Sequence, residues 1–216
     1  MFKIDGPVAR ILNAFADLVI LSAIWFLACL TIVGIGPATV ALYYTVVKSI
    51  RRDRGAPYRE FFHCIGVNWK MALGMGLLFT VLGAALFRYD LPRVLSLFHA
   101  GTPIPKAAAV VSILKIALIG SIAIYVFPLI SRYQVTVFGV LKTALALMAR
   151  NFYYTFVMLA VFVAAAMLLQ RMPYLILVLP GAICYVQSIF LEPILNSLLS
   201  EEDLENARGD DQWYLG

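Results

Sequence analysis

Residues 107–131 read AAAVVSILKIALIGSIAIYVFPLIS, from Ala107 to Ser131, with Lys115 as the single charge. A helix that crosses the hydrocarbon core of a bilayer needs about 20 mainly apolar residues at 1.5 Å of rise each. This run is long enough, and it has no polar stripe with which to face water. Four more runs of the same kind surround it: Leu18 to Gly36, Met71 to Phe87, Phe152 to Leu169, and Pro173 to Ser200, the last interrupted at Pro180, Gly181 and Pro193. Lys70, Arg88, Arg150 and Arg171 flank these runs, and Trp69, Tyr153 and Tyr154 stand where aromatic rings favour the membrane interface. The pattern predicts an all-α polytopic membrane helix bundle, with about five transmembrane helices and interfacial amphipathic helices between them.

Composition agrees. Hydrophobic residues make up 62% of the chain and charged residues 13%, with a mean hydropathy of +0.90. Soluble globular chains carry roughly 45–50% apolar and about 25% charged residues. Too few polar side chains remain to coat a separate water-facing domain. Residues 1–200 are therefore expected to form one membrane domain, and residues 201–216 a short acidic tail in which Trp213 and Tyr214 can touch headgroups. The first run is not read as a cleaved signal peptide: it exceeds the 7–15 residue apolar core of one, and Asp17 interrupts its approach.

The connectors carry the cations. Gly34, Gly36 and Pro37 are expected to end the first helix, because glycine weakens helices and proline drives its predecessor out of the helical region. The apolar stretch from Ala38 to Ile50 is 13 residues long and closes on Lys48, Arg51, Arg52 and Arg54. It reads as a half-helix, re-entrant or lying at the interface. Tyr58, Phe61, Phe62 and Ile65 follow at i, i+3, i+4 and i+7, one apolar helical face suited to a membrane surface or a neighbouring helix. Positive loops are retained in the cytoplasm. Ten lysines and arginines fall on the side of the two long connectors and six on the other. The expectation is a multi-pass membrane protein with its N-terminus outside and its C-terminus cytoplasmic, presenting a cytoplasmic basic surface of Lys48, Arg51, Arg52, Arg54, Arg59 and Arg132.

Polar groups inside apolar runs are default site hypotheses, because an ionisable group at membrane depth is costly unless paired or hydrated. Asp17 and Lys115 lie at depths that allow an ion pair. Glu192 is placed near the opposite interface, with Arg132 as its expected partner. Gln187 and Asn196 are expected to hydrogen-bond between helices. Pro180 and Pro193 free backbone carbonyls, which either coordinate a ligand or mark packing kinks, and Pro128 is a further helix-break position.

No catalytic pattern accompanies them. The sequence contains no GxSxG, HExxH or phosphate-binding Walker loop. Cys29, Cys64 and Cys184 form no CxxC pair, and His63 and His99 lack ligand-like neighbours, so no metal, cofactor or disulfide is expected. The net charge of +5 sits in loops between apolar runs and reads as topology and headgroup contact, not nucleic-acid binding. The chain is not expected to be an enzyme.

Two segments share a plan: an apolar run with a proline (Pro37, Pro128), an amphipathic connector, then Asn68-Trp69 or Asn151-Phe152 opening the next run. The proline-to-asparagine spacings are 31 and 23 residues, so a parallel repeat and shared constraints on helix ends are both open. Further motifs are Gly36-Pro37-Ala38-Thr39, Ala41-Leu42-Tyr43-Tyr44, Asn68-Trp69-Lys70, Phe127-Pro128-Leu129-Ile130-Ser131-Arg132-Tyr133 and Leu141-Lys142-Thr143-Ala144-Leu145. On these residues the chain resembles a family of small bacterial membrane proteins typified by YesL and catalogued as a domain of unknown function. The resemblance implies a multi-helix membrane protein, often in genomic company with carbohydrate-uptake transporters, and no assigned activity or catalytic residue.

The resulting expectation is an accessory or regulatory membrane protein associated with carbohydrate uptake, partnered by the lipid bilayer and sugar-transporter subunits. The alternative is a small homo-oligomeric transporter or channel for a small solute. A transporter needs a hydrated polar cavity near mid-membrane; an accessory protein can be packed solid.

Overall fold

The computed structural model describes residues 7–52, 55–96, 106–133 and 136–197. Arg54 and the acidic tail, with Trp213 and Tyr214, lie outside the described residues, as does His99. The described residues are helical almost throughout: α1 (Pro7–Cys29), α2 (Ile35–Thr45), α3 (Pro57–Ala85), α4 (Leu91–Leu95), α5 (Lys106–Arg132), α6 (Val137–Arg150), α7 (Phe152–Arg171) and α8 (Leu179–Asn196). Five continuous helical stretches are long and apolar enough to cross a membrane: Leu12–Cys29, Ile32–Arg51, Pro57–Leu95, Lys106–Arg132 and Phe152–Arg171. The chain is a multi-pass membrane helix bundle.

The stretch expected to be a half-helix is the centre of that bundle. A 3-10 turn (Ile32–Gly34), α2 and a π-helical segment (Val46–Arg51) join into one helix of 20 residues, 67% buried, against 11–28% for the other four. Ala38, Val40, Ala41, Leu42, Tyr43, Val46 and Val47 are all at most 1% exposed. Its neighbours are α1, α3, α5 and α8. Of the cations at its end, which argue from sequence against crossing, Lys48 and Arg52 are paired with acids from other helices, Glu60 and Glu192.

The helix break also falls earlier than expected. α1 ends at Cys29, and Gly34 makes a tight turn in which an added Cβ would stand 2.1 Å from the Ala28 carbonyl oxygen. Gly36 and Pro37 belong to the first turn of α2, where proline costs no hydrogen bond. Gly36 is needed for contact: a Cβ there would meet Ala72 O at 2.1 Å, and one on Gly76 would meet Gly36 Cα at 2.4 Å. Backbone thus lies on backbone where α2 crosses the Ala72-xxx-Gly76 step of α3, the small-residue packing of membrane helices. α1 and α2 form a hairpin, tied by Trp25 Nε1 donating to Thr39 Oγ1 at 3.2 Å, and α1 also touches the π-helical end of α2. The start of α1 and the end of α2 therefore share one end of the bundle.

The amphipathic connector is not a separate interfacial helix. It forms the first turns of a stretch of 39 residues, α3 through a π-helical segment (Leu86–Asp90) into α4, about 58 Å long and so well beyond the roughly 30 Å hydrocarbon core. Its expected apolar face is split. Phe61 and Cys64 point into the core, Ile65 is half-buried, and Tyr58 and Phe62 are exposed, because the inward stripe runs through 61, 64, 72 and 75. Asn68 lies within this helix, whereas Asn151 stands at the break before α7, so the two proposed repeats do not superpose element by element. The last run divides into a 3-10 segment (Pro173–Leu177) and α8. Pro180 sits in the first turn of α8 and Pro193 inside it.

Candidate functional site

Among the described residues, the buried charged side chains gather at two carboxylates, and an apolar cleft opens elsewhere between the helices. The first carboxylate, Glu192, is 3% exposed on α8. Arg132, at the end of α5 and with a fully buried side chain, pairs with its Oε2 through Nη2. Arg52, just past the π-helical end of α2, approaches the same oxygen at 3.4 Å. Tyr43, from the middle of α2, donates its hydroxyl to Oε1 at 3.2 Å. The cluster extends outward: Arg132 Nη1 donates to Asn196 Oδ1 at 3.0 Å, and Arg51 Nη1 to the Ser188 carbonyl at 2.6 Å. Three helices that are distant in sequence are joined here through one acid. Each partner satisfies a group that would otherwise be buried and uncompensated.

The second carboxylate, Asp90, ends the other π-helical segment and is 5% exposed. Lys115 pairs with its Oδ1, Ser112 donates to that oxygen at 2.7 Å, and Arg93 stands 3.5 Å away. The lysine is half-exposed, so this cluster opens outward where the Glu192 cluster is closed. Both π-helical segments deliver ionisable groups to these clusters, in line with the tendency of π-bulges to occur at functional positions.

The sequence-derived residues therefore distribute as follows. Arg132 and Glu192 come together, with Asn196 beside them. Gln187 reaches between helices and donates to Ile124 O at 2.7 Å. Lys115 is joined to Asp90, not to Asp17, which lies half-buried on α1. In the sequence Asp90 follows Arg88, which looks like the end of a span, and its one cue is its position between Arg88 and Arg93. Tyr43 had no cue, since a tyrosine in an apolar run reads as core.

The basic surface is corrected more strongly. Arg132 is interior. Lys48 is paired with Glu60 at 2.8 Å and also donates to the Tyr44 hydroxyl at 3.0 Å. Arg52 is drawn to Glu192. Of the set within the described residues, only Arg51 and Arg59 are exposed residues. Cations next to a bundle of buried acids are drawn inward by the low dielectric, which strengthens opposite-charge attraction there.

The cleft, of about 510 Å³, lies between α1, α2, α5, α7 and α8. Its walls are apolar, including Ile116, Ala123, Phe127, Leu159, Phe162, Ala166 and Ile183, and its polar lining side chains are Trp25, Thr39, Tyr43 and Gln187, with Cys184 beside them. Lys115 does not line it. Among the described residues, no group of three His, Cys, Asp or Glu side chains could hold a metal ion. The ionic clusters can fasten helices to one another, and the cleft can hold apolar matter.

Residues 18–90, a third of the 216-residue chain, match the family described as "Protein of unknown function, DUF624". The matched stretch contains α2 and α3 and ends at Asp90. It includes Tyr43, Arg51 and Arg52 and excludes Lys115, Arg132 and Glu192. No curated protein and no solved structure matches the chain.

Proposed function

We propose that the chain is a non-enzymatic accessory or regulatory component of a bacterial plasma membrane, associated with carbohydrate uptake. The observation that supports this reading over a solute carrier is the state of the interior charges. Arg132, Glu192 and Asp90 are committed to one another and to Lys115, and the cleft is lined by apolar side chains. A small polar solute finds no hydrated path along such walls. The association with sugar uptake rests on the resemblance to the YesL-typified family.

The surface offered to a partner, in this reading, is the outward side of the first turns of α3, where Tyr58, Arg59, Phe62 and Trp69 are exposed. Aromatic residues and arginine are the groups that dominate protein–protein contact energies. By the positive-inside rule the end carrying Arg51 and Arg59 is cytoplasmic. Because α1 and α2 form a hairpin, the start of α1 goes with it, which departs from the outside N-terminus expected from loop counting; α8 also ends there.

The test is purification of the tagged chain from its native membrane in mild detergent, with mass spectrometry of what accompanies it. Sugar-transporter subunits are expected, and they are lost with Arg59→Glu combined with Phe62→Ala. Recovery of the chain alone as a defined oligomer overturns the reading, and makes solute flux in liposomes the next measurement.

A further inference from the structure

We infer that the cleft between α1, α2, α5, α7 and α8 is a binding site for one acyl chain of a membrane phospholipid. Its volume of about 510 Å³ lies within the roughly 300–1,000 Å³ of ordinary ligand pockets. What it can hold is decided by its polar groups, which are few, and Trp25, Thr39, Tyr43 and Gln187 each already give a hydrogen bond within the chain. Trp25 Nε1 donates to Thr39 Oγ1 at 3.2 Å, and Thr39 Oγ1 donates to Ile35 O at 2.7 Å. Tyr43 donates to Glu192, and Gln187 donates to Ile124 O. A polar ligand would bury most of its donors and acceptors against apolar wall, at a cost for each one left unpaired. A hydrocarbon chain carries no such cost.

The other apolar occupant available in a bilayer is a helix of a second protein. A helix about 10 Å across occupies about 420 Å³ per turn of 5.4 Å. The cleft has room for little more than one such turn, so a partner helix could seat only a short ridge of side chains in it. An acyl chain is thinner and flexible. It is also present beside the cleft, because α7 is one of the membrane-crossing helices and its cleft-lining Phe162 and Val163 are 39% and 53% exposed. Small residues make the space: Gly120 and Ala123 on α5 and Ala166 on α7 face the cleft where larger side chains would fill it.

Trp25 lines the cleft and serves as the reporter. The experiment uses the full chain with Trp69→Phe and Trp213→Phe, reconstituted in phosphatidylcholine vesicles whose acyl chains are either brominated at mid-chain or unbrominated. Bromine quenches indole emission on contact. Trp25 emission is expected to drop in the brominated vesicles. Ala123→Phe and Ala166→Phe, which fill the cleft from two different helices, are each expected to abolish most of that loss. Gly83→Phe, at a position with open space around it, is expected to leave it unchanged. Absence of quenching in the parent overturns the inference, and this result needs no filled variant to fold. Quenching that persists undiminished in either filled variant also overturns it, since the bromine would then be reaching Trp25 from bulk lipid.

Discussion

Gln187 Nε2 donates at 2.7 Å to the carbonyl of Ile124, the one carbonyl of α5 whose helical donor would be the amide of residue 128, which is proline. Pro128 has no N–H to give, and in a membrane interior no water replaces it. An amide from α8 closes the vacancy and fixes the register of α8 against α5.

Removing that amide should cost about 1 kcal/mol, the usual size of a hydrogen bond between membrane helices. Gln187→Leu is expected to lower the thermal unfolding midpoint in detergent. Pro128→Ala supplies a backbone N–H for Ile124 O, so the double variant should lose less than Gln187→Leu alone. An additive double variant would show that the bond does not serve the proline.

At Glu192 the cost should be larger and ordered by burial. Glu192→Gln leaves Arg132 uncompensated in a closed site, a change worth about 3–5 kcal/mol in buried pairs. Arg52→Ala removes a partner whose side chain is 21% exposed and whose oxygen keeps Arg132, so its effect should be clearly smaller. Replacing both buried partners, Glu192→Leu with Arg132→Met, should recover part of the loss. Unfolding of the four proteins in one detergent gives the order directly.

The α2–α3 crossing makes a sharper prediction. Gly76→Ala would put a methyl 2.4 Å from Gly36 Cα, against backbone that cannot turn aside. The variant should fail to give a monodisperse peak on size exclusion, as should Gly36→Ala. Gly74→Ala, where nothing lies within 4 Å, should be neutral or stabilise α3 by up to about 1 kcal/mol.

Lys115 tests which acid is its partner. A double-variant cycle on Asp90→Asn and Lys115→Gln should return a coupling, weakened by salt because the lysine is half-exposed. The same cycle on Asp17→Asn and Lys115→Gln should return none. Coupling in the second cycle and not in the first would reverse the assignment.

Some of this was readable in advance. Spans such as Ala107 to Ser131 show themselves because length and hydropathy are local properties, summed residue by residue. The Arg132–Glu192 pair followed from depth, since two opposite charges near one end of adjacent runs have few other ways to be accommodated. Asp90 did not follow, because a π-helical segment carries α3 past Arg88 and turns a residue that looks like loop into one nearly enclosed.

Which helix lies at the centre was not readable at all. In a soluble protein the buried face is apolar and the free face polar, so periodicity marks the inside. Here lipid and protein interior are equally apolar, and α2 and α7 look alike in sequence although one is enclosed and the other faces outward. The sequence by itself determined that the chain enters the membrane, where its apolar runs lie and where its charges fall along them. Only the tertiary structure decided that Gly36 meets Gly76, that α2 is enclosed and that an apolar cleft remains beside it, because these depend on packing between surfaces whose polarity does not differ.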